Sequence, residues 1–227
     1  MARHGKRYND TKKKAPVGLV SLEEAVAFVK DNANAKFDET VEVALHLGVD
    51  PKKSDQAVRG TVTLPYGTGK NIRVIVFATG EQADQAREAG AEAVGYEDLI
   101  EKIKDGWTDF DVAISTTDAM KEVRKIARVL GPRGLMPNPK TGTVTDDTAA
   151  AVLAAKGGKV DFRMDRTGNV CVLSGKCSFD ADKLTGNINT IVDAVNAERP
   201  ASAKGVFVRS LTISSTMGVG ISVLLKD

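Results

Sequence analysis

The hexapeptide RVIVFA at residues 73–78 carries five apolar residues in a row, and such a run predicts a strand covered by protein on both faces. An earlier stretch reads differently. Over residues 39–47, Val41, Val43, Leu45 and Leu47 alternate with Thr40, Glu42, Ala44 and His46, the period of two expected of a strand with one buried face. Two textures imply two sheets, and the remaining stretches sort between them.

Downstream of RVIVFA, helices and strands alternate. A helix is expected over 81–89, a short strand over 93–95, a helix over 97–104 and a strand over 112–115. Asp118 then caps a helix ending at Leu130, and Thr145 caps another over 146–155. Such alternation implies βαβ units and a parallel, Rossmann-like sheet. Lys156, Gly157, Gly158 and Lys159 interrupt it, after which the alternating pattern returns. Residues 160–164 and 169–173 predict a hairpin about Arg166, Thr167 and Gly168. Asp180 caps a helix to Ala197, and strands over 205–214 and 221–225 follow. Before RVIVFA, Ser21 caps a helix over 21–31 with Glu24 three residues on, as in a capping box, and a strand is expected over 58–64.

The fold class expected is therefore α/β and α+β in two domains. A split α+β domain comprises 1–66 and 160–227, with a Rossmann-like α/β domain, 67–159, inserted into it. Two glycine-containing connections cross between them. Gly67, Gly69, Gly157 and Gly158 can act as a hinge, since glycine accepts the dihedral changes that rotation demands; ordinary turns in a rigid protein account for the same glycines equally well.

The formal net charge of the 227 residues is only +2, which announces no global polycation. The charge is uneven, however: residues 1–14 set Arg3, Lys6, Arg7, Lys12, Lys13 and Lys14 against Asp10 alone. No apolar stretch follows this basic arm, and no run approaches the length of a membrane helix, so a cytoplasmic protein without a membrane partner is expected. Cys171 and Cys177 fit neither a CxxC pair nor a zinc half-site, and with only His4 and His46 to help, no metal is expected. Both cysteines read as reduced and structural, Cys171 packed on a strand.

Nothing in the chain argues for catalysis. Gly67, Gly69 and Lys70 lack the serine or threonine and the helix that a phosphate loop needs. Gly80 is one glycine where a dinucleotide fingerprint has three. Ser115 lacks a nucleophile elbow. No catalytic residue and no cofactor are assigned, and a nucleotide-dependent enzyme built on the α/β insert is the weaker alternative.

Three stretches invite RNA instead. GPRGLMPNPKTGT, residues 131–143, excludes regular structure by its prolines and glycines. It lies within a segment carrying Arg124, Lys125, Arg128, Arg133 and Lys140 without any carboxylate, suited to phosphate, although a plain surface connection has the same composition. Lys36 and Phe37 precede a strand whose polar face shows Thr40 and Glu42; the aromatic can stack on a base or cap the core. SSTMGVG, residues 214–220, is a hydroxyl-rich turn that can bond 2′-hydroxyls or merely join two strands.

Taken together, KRYND at 6–10, KFDETVEVALHLGVDP at 36–51, GPRGLMPNPKTGT and SSTMGVG resemble the bacterial large-subunit ribosomal protein L-one family, the proteins of the mobile rRNA stalk beside the tRNA exit site. The resemblance covers essentially the whole chain. It implies a structural RNA-binding protein, monomeric off the ribosome, whose split domain holds large-subunit rRNA through Lys36, Phe37, Thr40, Glu42, Arg163, Ser210, Thr216, Met217 and Gly218. Phe37 and Met217 would supply apolar contact with nucleotide faces, Thr216 and Ser210 bonds to ribose or phosphate oxygens, and Gly218 close approach. A secondary surface for RNA or exit-site tRNA is implied at Arg124, Arg128, Arg133 and Lys140, and repression of the protein's own operon mRNA as a second role. A free cytosolic RNA-binding regulator is the alternative. Val219 stands where the family commonly has proline.

Overall fold

A computed structural model describes residues 5–225, apart from the side chains of Ser54 and Lys140; Arg3 and His4 lie outside the described residues. In chain order the first part forms α1 (Lys6–Lys14), α2 (Leu22–Asp31), β1 (Thr40–Leu47), β2 (Arg59–Thr63), β3 (Val74–Phe77), α3 (Glu81–Glu88), β4 (Ala93–Gly95), α4 (Glu97–Lys104) and β5 (Val112–Ser115). There follow α5 (Met120–Val123), α6 (Ala127–Leu130), α7 (Thr148–Lys156), β6 (Lys159–Arg163), β7 (Asn169–Lys176), α8 (Ala181–Ala197), β8 (Val208–Ser215) and β9 (Ile221–Val223). The described residues form a mixed α and β structure with three sheets. Contacts divide it into two units, Lys70–Lys159 and the two flanking segments together.

In the flanking unit, β1 buries Val41, Val43, Leu45 and Leu47 and exposes Glu42, as its alternation requires. It lies between β7 and β8, antiparallel to both, and β9 completes the order β7-β1-β8-β9. The buried face packs on the apolar stripes of two helices, Ala25, Val26 and Val29 from α2 and Leu184, Ile188, Ile191 and Val195 from α8. Ser21 caps α2 by accepting from the Glu24 amide at 3.2 Å. Within the basic arm, residues 6–14 form α1, with Lys12, Lys13 and Lys14 in the last turn, where cations suit the helix dipole.

The predicted hairpin is corrected. β6 pairs with β2 and β7 with β1, in separate sheets. Between them Asp165 gathers the Thr167 amide and hydroxyl and the Asn169 amide, each at 2.8 Å. These bonds, first from the Asn169 amide and then from Thr167, bring its carboxyl down to about 2. A turn closed around one carboxylate redirects the chain between sheets. Cys171 is exposed on β7 rather than packed, because its neighbours Val170 and Val172 take the buried face.

In the inserted unit, β3 is buried along its whole length, as its unbroken apolar run predicts. It is the centre of the parallel order β4-β3-β5. Ile75 and Phe77 face one cluster with α4 and the segment 119–130; Val74 and Val76 face another with α3 and α7. Three caps differ from expectation. The helix before Leu130 is broken by a 3-10 turn at Arg124–Ile126, and Thr116, not Asp118, accepts from the Ala119 amide. Asp147, not Thr145, caps α7 by accepting from Ala150. Asp180 precedes α8 without a side-chain cap bond and pairs with Lys183 at 2.9 Å.

The buried Asn187 of α8 interrupts an apolar helix face for a reason the sequence did not signal. Its Oδ1 accepts from the Tyr66 amide at 3.2 Å, and its Nδ2 donates to the carbonyls of Gly67 at 3.1 Å and Ser174 at 2.7 Å. One amide thus fastens the first crossing connection, where Gly67 has φ +67°, to β7. Replacing it by a similar-sized apolar residue strands one buried and two partly buried backbone groups, the buried one at about 1–3 kcal/mol and the others at less. We expect Asn187→Leu to lower unfolding stability by about 3 kcal/mol, read as a reduced urea midpoint at unchanged m-value; a shift under about 0.5 kcal/mol contradicts the anchoring role.

Candidate nucleic-acid interface

Between residues 35–42 and 214–218 the geometry is governed by a carboxylate. Glu39, only 3% exposed, sits one residue before β1. Its Oε2 accepts from Ser215 Oγ at 2.7 Å and the Met217 amide at 3.1 Å, and its Oε1 from the Ala35 amide at 3.0 Å. Burial alone would push this carboxyl up. The bonds from Ser215, Met217 and Ala35, with the charge of the Arg7 guanidinium, outweigh burial and hold it below the ordinary glutamate range. Arg7 lies on α1 and donates to the Asn34 carbonyl at 3.3 Å, so the basic helix flanks this junction.

Around the carboxylate the two segments are laced together. Thr216 donates its amide to the Thr40 carbonyl at 3.0 Å, while its Oγ1 accepts from the Thr40 amide at 3.0 Å and donates to the same carbonyl at 3.3 Å. That hydroxyl therefore has its proton engaged and keeps one lone pair, so a ligand hydroxyl or amine must donate to it. Lys176 of β7 reaches Thr40 Oγ1 at 2.9 Å. A Cβ on Gly218 would overlap Ser215 Oγ, so this glycine is first required by its own turn, before any approach of RNA. Val219, in the position that the resemblance gives to proline, is buried.

This scaffold turns two large apolar side chains outward. Phe37 is 54% exposed and Met217 53%; of the two readings of Phe37, the cap over the core is excluded. Lys36 is exposed beside it. On the sheet face opposite the core, Glu42 pairs with Leu173 and Ser214, Ala44 with Cys171 and Thr212, and His46 with Asn169 and Ser210. His46 and Asn169 meet at 2.8 Å between Nδ1 and Oδ1. Lys36, Phe37, Thr40, Glu42, Thr216, Met217 and Gly218 thus belong to one end of this sheet, and Ser210 to the other end of the same face. Arg163 is exposed on β6, in the two-stranded sheet, apart from that face.

The basic segment of the inserted unit is a separate matter. Arg124 and Arg128 are exposed, and Arg133 donates to Thr108 Oγ1; the Lys140 side chain lies outside the described residues. The proline loop is ordered by its own hydroxyls, with the Asn138 carbonyl accepting from Thr141 Oγ1 at 3.0 Å and Thr143 Oγ1 at 3.2 Å. Lys70, discarded as a phosphate-loop lysine, pairs with Asp111 at 2.7 Å.

Sequence reading missed Glu39. Its signal was available: a carboxylate at a position continuing the alternation of buried Val41, Val43 and Leu45 needs donors. In Glu39→Gln an amide must face a donor, and we expect about 2–4 kcal/mol lost at pH 7. The folded carboxyl is more acidic than the unfolded one, so its stabilisation is full above the ordinary range and disappears as pH falls through the lowered folded value. The urea-unfolding difference between wild type and Glu39→Gln should therefore shrink below about pH 4; a difference constant from pH 7 to 3 contradicts the assignment.

Comparison with known proteins identifies the family. The model of the ribosomal protein L1p/L10e family matches residues 29–219. A "Large ribosomal subunit protein uL1" of Corynebacterium glutamicum is 52% identical over 98% of this chain and 95% of its own length. The protein of the same name from Mycobacteroides abscessus is 53% identical over the same shares, and that from Cutibacterium acnes 58% identical over 90% of this chain and 88% of its own. The matched region takes in both halves of the Glu39 junction, and the chain belongs to the ribosomal protein L1p/L10e family.

Proposed function

We propose that this protein is a non-enzymatic component of the large ribosomal subunit in the cytoplasm, and that it binds rRNA on the exposed face and end of the β7-β1-β8-β9 sheet. The observation that carries this reading is the display of Phe37 and Met217, more than half exposed, on a junction fixed by a buried carboxylate. Exposed apolar groups held on a rigid base suit unstacked nucleotides, which offer π-faces at little ordering cost. The free lone pair of Thr216 and the carboxylate of Glu42 are acceptors, and the 2′-hydroxyl is the donor that distinguishes RNA from DNA. Lys36 and Lys176 supply charge for phosphate.

Several finer roles belong to the same proposal. The RNA is the mobile stalk beside the tRNA exit site, and the inserted, Rossmann-like unit assists release of deacylated tRNA through Arg124, Arg128, Arg133 and Lys140. Gly67, Gly69, Gly157 and Gly158 form its hinge; positive φ at Gly67, Gly69 and Gly158 supports glycine-specific connections. A mimic of the rRNA element in the protein's own operon mRNA binds the same site and represses translation. Off the ribosome the protein is a monomer.

Two measurements test this reading. Washed ribosomes fractionated on sucrose should carry the protein on large subunits; its absence there leaves a free regulator. With protein-free large-subunit rRNA, Thr216→Val and Met217→Ala should each weaken binding by about tenfold or more, corresponding to about 1–3 kcal/mol. Arg133→Ala should have a smaller effect, and equal or reversed losses overturn the placement.

A further inference from the structure

At the end of β1 away from Glu39, two loops of the flanking unit border an open, solvent-facing cavity of about 430 Å³. Its lining includes Gly48, Asp50, Lys53, Gln56, Lys204 and Arg209. The loops are fastened to one another. Buried Gln56 accepts from the Asp50 amide at 2.7 Å and donates to the Ser202 carbonyl at 3.4 Å. The Gly48 amide donates to the Phe207 carbonyl at 2.6 Å. Arg199 donates to the carbonyls of Ala203 and Gly205 and covers the Phe207 ring at 5.9 Å. A Cβ on Gly48 would overlap the Val206 carbonyl and come within 3.1 Å of Arg209 Nε, so the glycine lets the guanidinium lie against the backbone.

Three cations share this cavity, and none has an ion-pair partner among the described residues. The one carboxylate lining it, Asp50, is turned to its own loop and accepts from the Lys52 amide at 3.1 Å. Like charges drawn to one concavity repel, and an anion relieves that repulsion. Arg209 adjoins Ser210, which pairs with His46 at the edge of the open sheet face. The eight residues of β1 separate this end from Glu39 by about 25 Å.

We propose that the Lys53, Lys204 and Arg209 cavity binds backbone phosphate of the RNA lying on the sheet, giving that RNA a second anchor at the opposite end of β1. The inference rests on the RNA-binding reading and deepens it. The Glu39 end contacts nucleotide faces and 2′-hydroxyls, while this end contributes charge and register. Its signature is salt dependence, because neutralising a phosphate releases counterions, whereas a hydroxyl contact does not.

The test uses the full-length chain and protein-free large-subunit rRNA, with binding measured from 0.05 to 1 M KCl. In the triple variant Lys53→Gln, Lys204→Gln, Arg209→Gln, the slope of log K against log salt should flatten by about 2 to 3. Affinity should fall on the order of a hundredfold at 0.1 M and converge with wild type toward 1 M. Thr216→Val should weaken binding at every salt concentration with the slope unchanged. An unaltered slope in a triple variant that melts like wild type overturns this proposal while Thr216→Val still reports the sheet site. If neither variant weakens binding, the sheet reading falls and this proposal with it. A parallel arm titrates inorganic phosphate and follows the Gly48 amide by NMR: a shift lost in the triple variant without any change in RNA slope assigns the cavity to a free anion and overturns the RNA assignment.

Discussion

The buried carboxylate of Glu39 is the constraint on which the interface depends. A charge removed from water must recover its solvation from donors, and here a hydroxyl and two amides supply it from segments far apart in sequence. Those donors come from Ala35 on one side and from Ser215 and Met217 on the other, so satisfying the charge also fixes where Phe37 and Met217 stand. Stability and the outward display of those two side chains share one set of bonds. The same logic explains Gly218, whose missing side chain leaves room for Ser215 to reach the carboxylate.

Much of the fold was legible because burial imposes periodicity. The alternation of β1 and the unbroken apolar run of β3 separate two kinds of sheet, and the apolar stripe of α8 identifies a helix packed along one face. What was not legible arose where a single polar atom decides geometry. Asn187 looks like an ordinary helical asparagine until its amide is seen holding three backbone groups. Asp165 collects its donors in a turn that sends β6 and β7 to different sheets, which local patterning reads as a simple hairpin. Caps failed likewise: Asp118 and Thr116 are both competent acceptors two residues apart, and only the path of the chain selects one.

The interface was partly legible for a related reason. Phe37, Thr40, Glu42 and Thr216 stand out by type and by resemblance, and the pairing of β1 with β8 brings their segments together. Composition alone pointed first to the proline loop, which proves to be closed on its own hydroxyls, with Arg133 engaged by Thr108. Basic residues in an irregular stretch are conspicuous; a carboxylate in an apolar alternation is not, although it says more about where donors must gather.

The pairing of β1 and β2 only with strands that follow the insert has a temporal side. Between Leu47 and Asn169, at about 5–20 residues per second, roughly 6–25 s of synthesis elapse before β1 meets β7, while β3, β4 and β5 find one another within a short contiguous stretch. During that interval the nascent chain holds two strands with unsatisfied edges. The Ser215 and Met217 donors arrive later still, so on an interrupted chain only the local Ala35 amide is present to serve Glu39. A fragment released before residue 215 therefore lacks both distant donors of Glu39, and with them the junction that displays Phe37 and Met217.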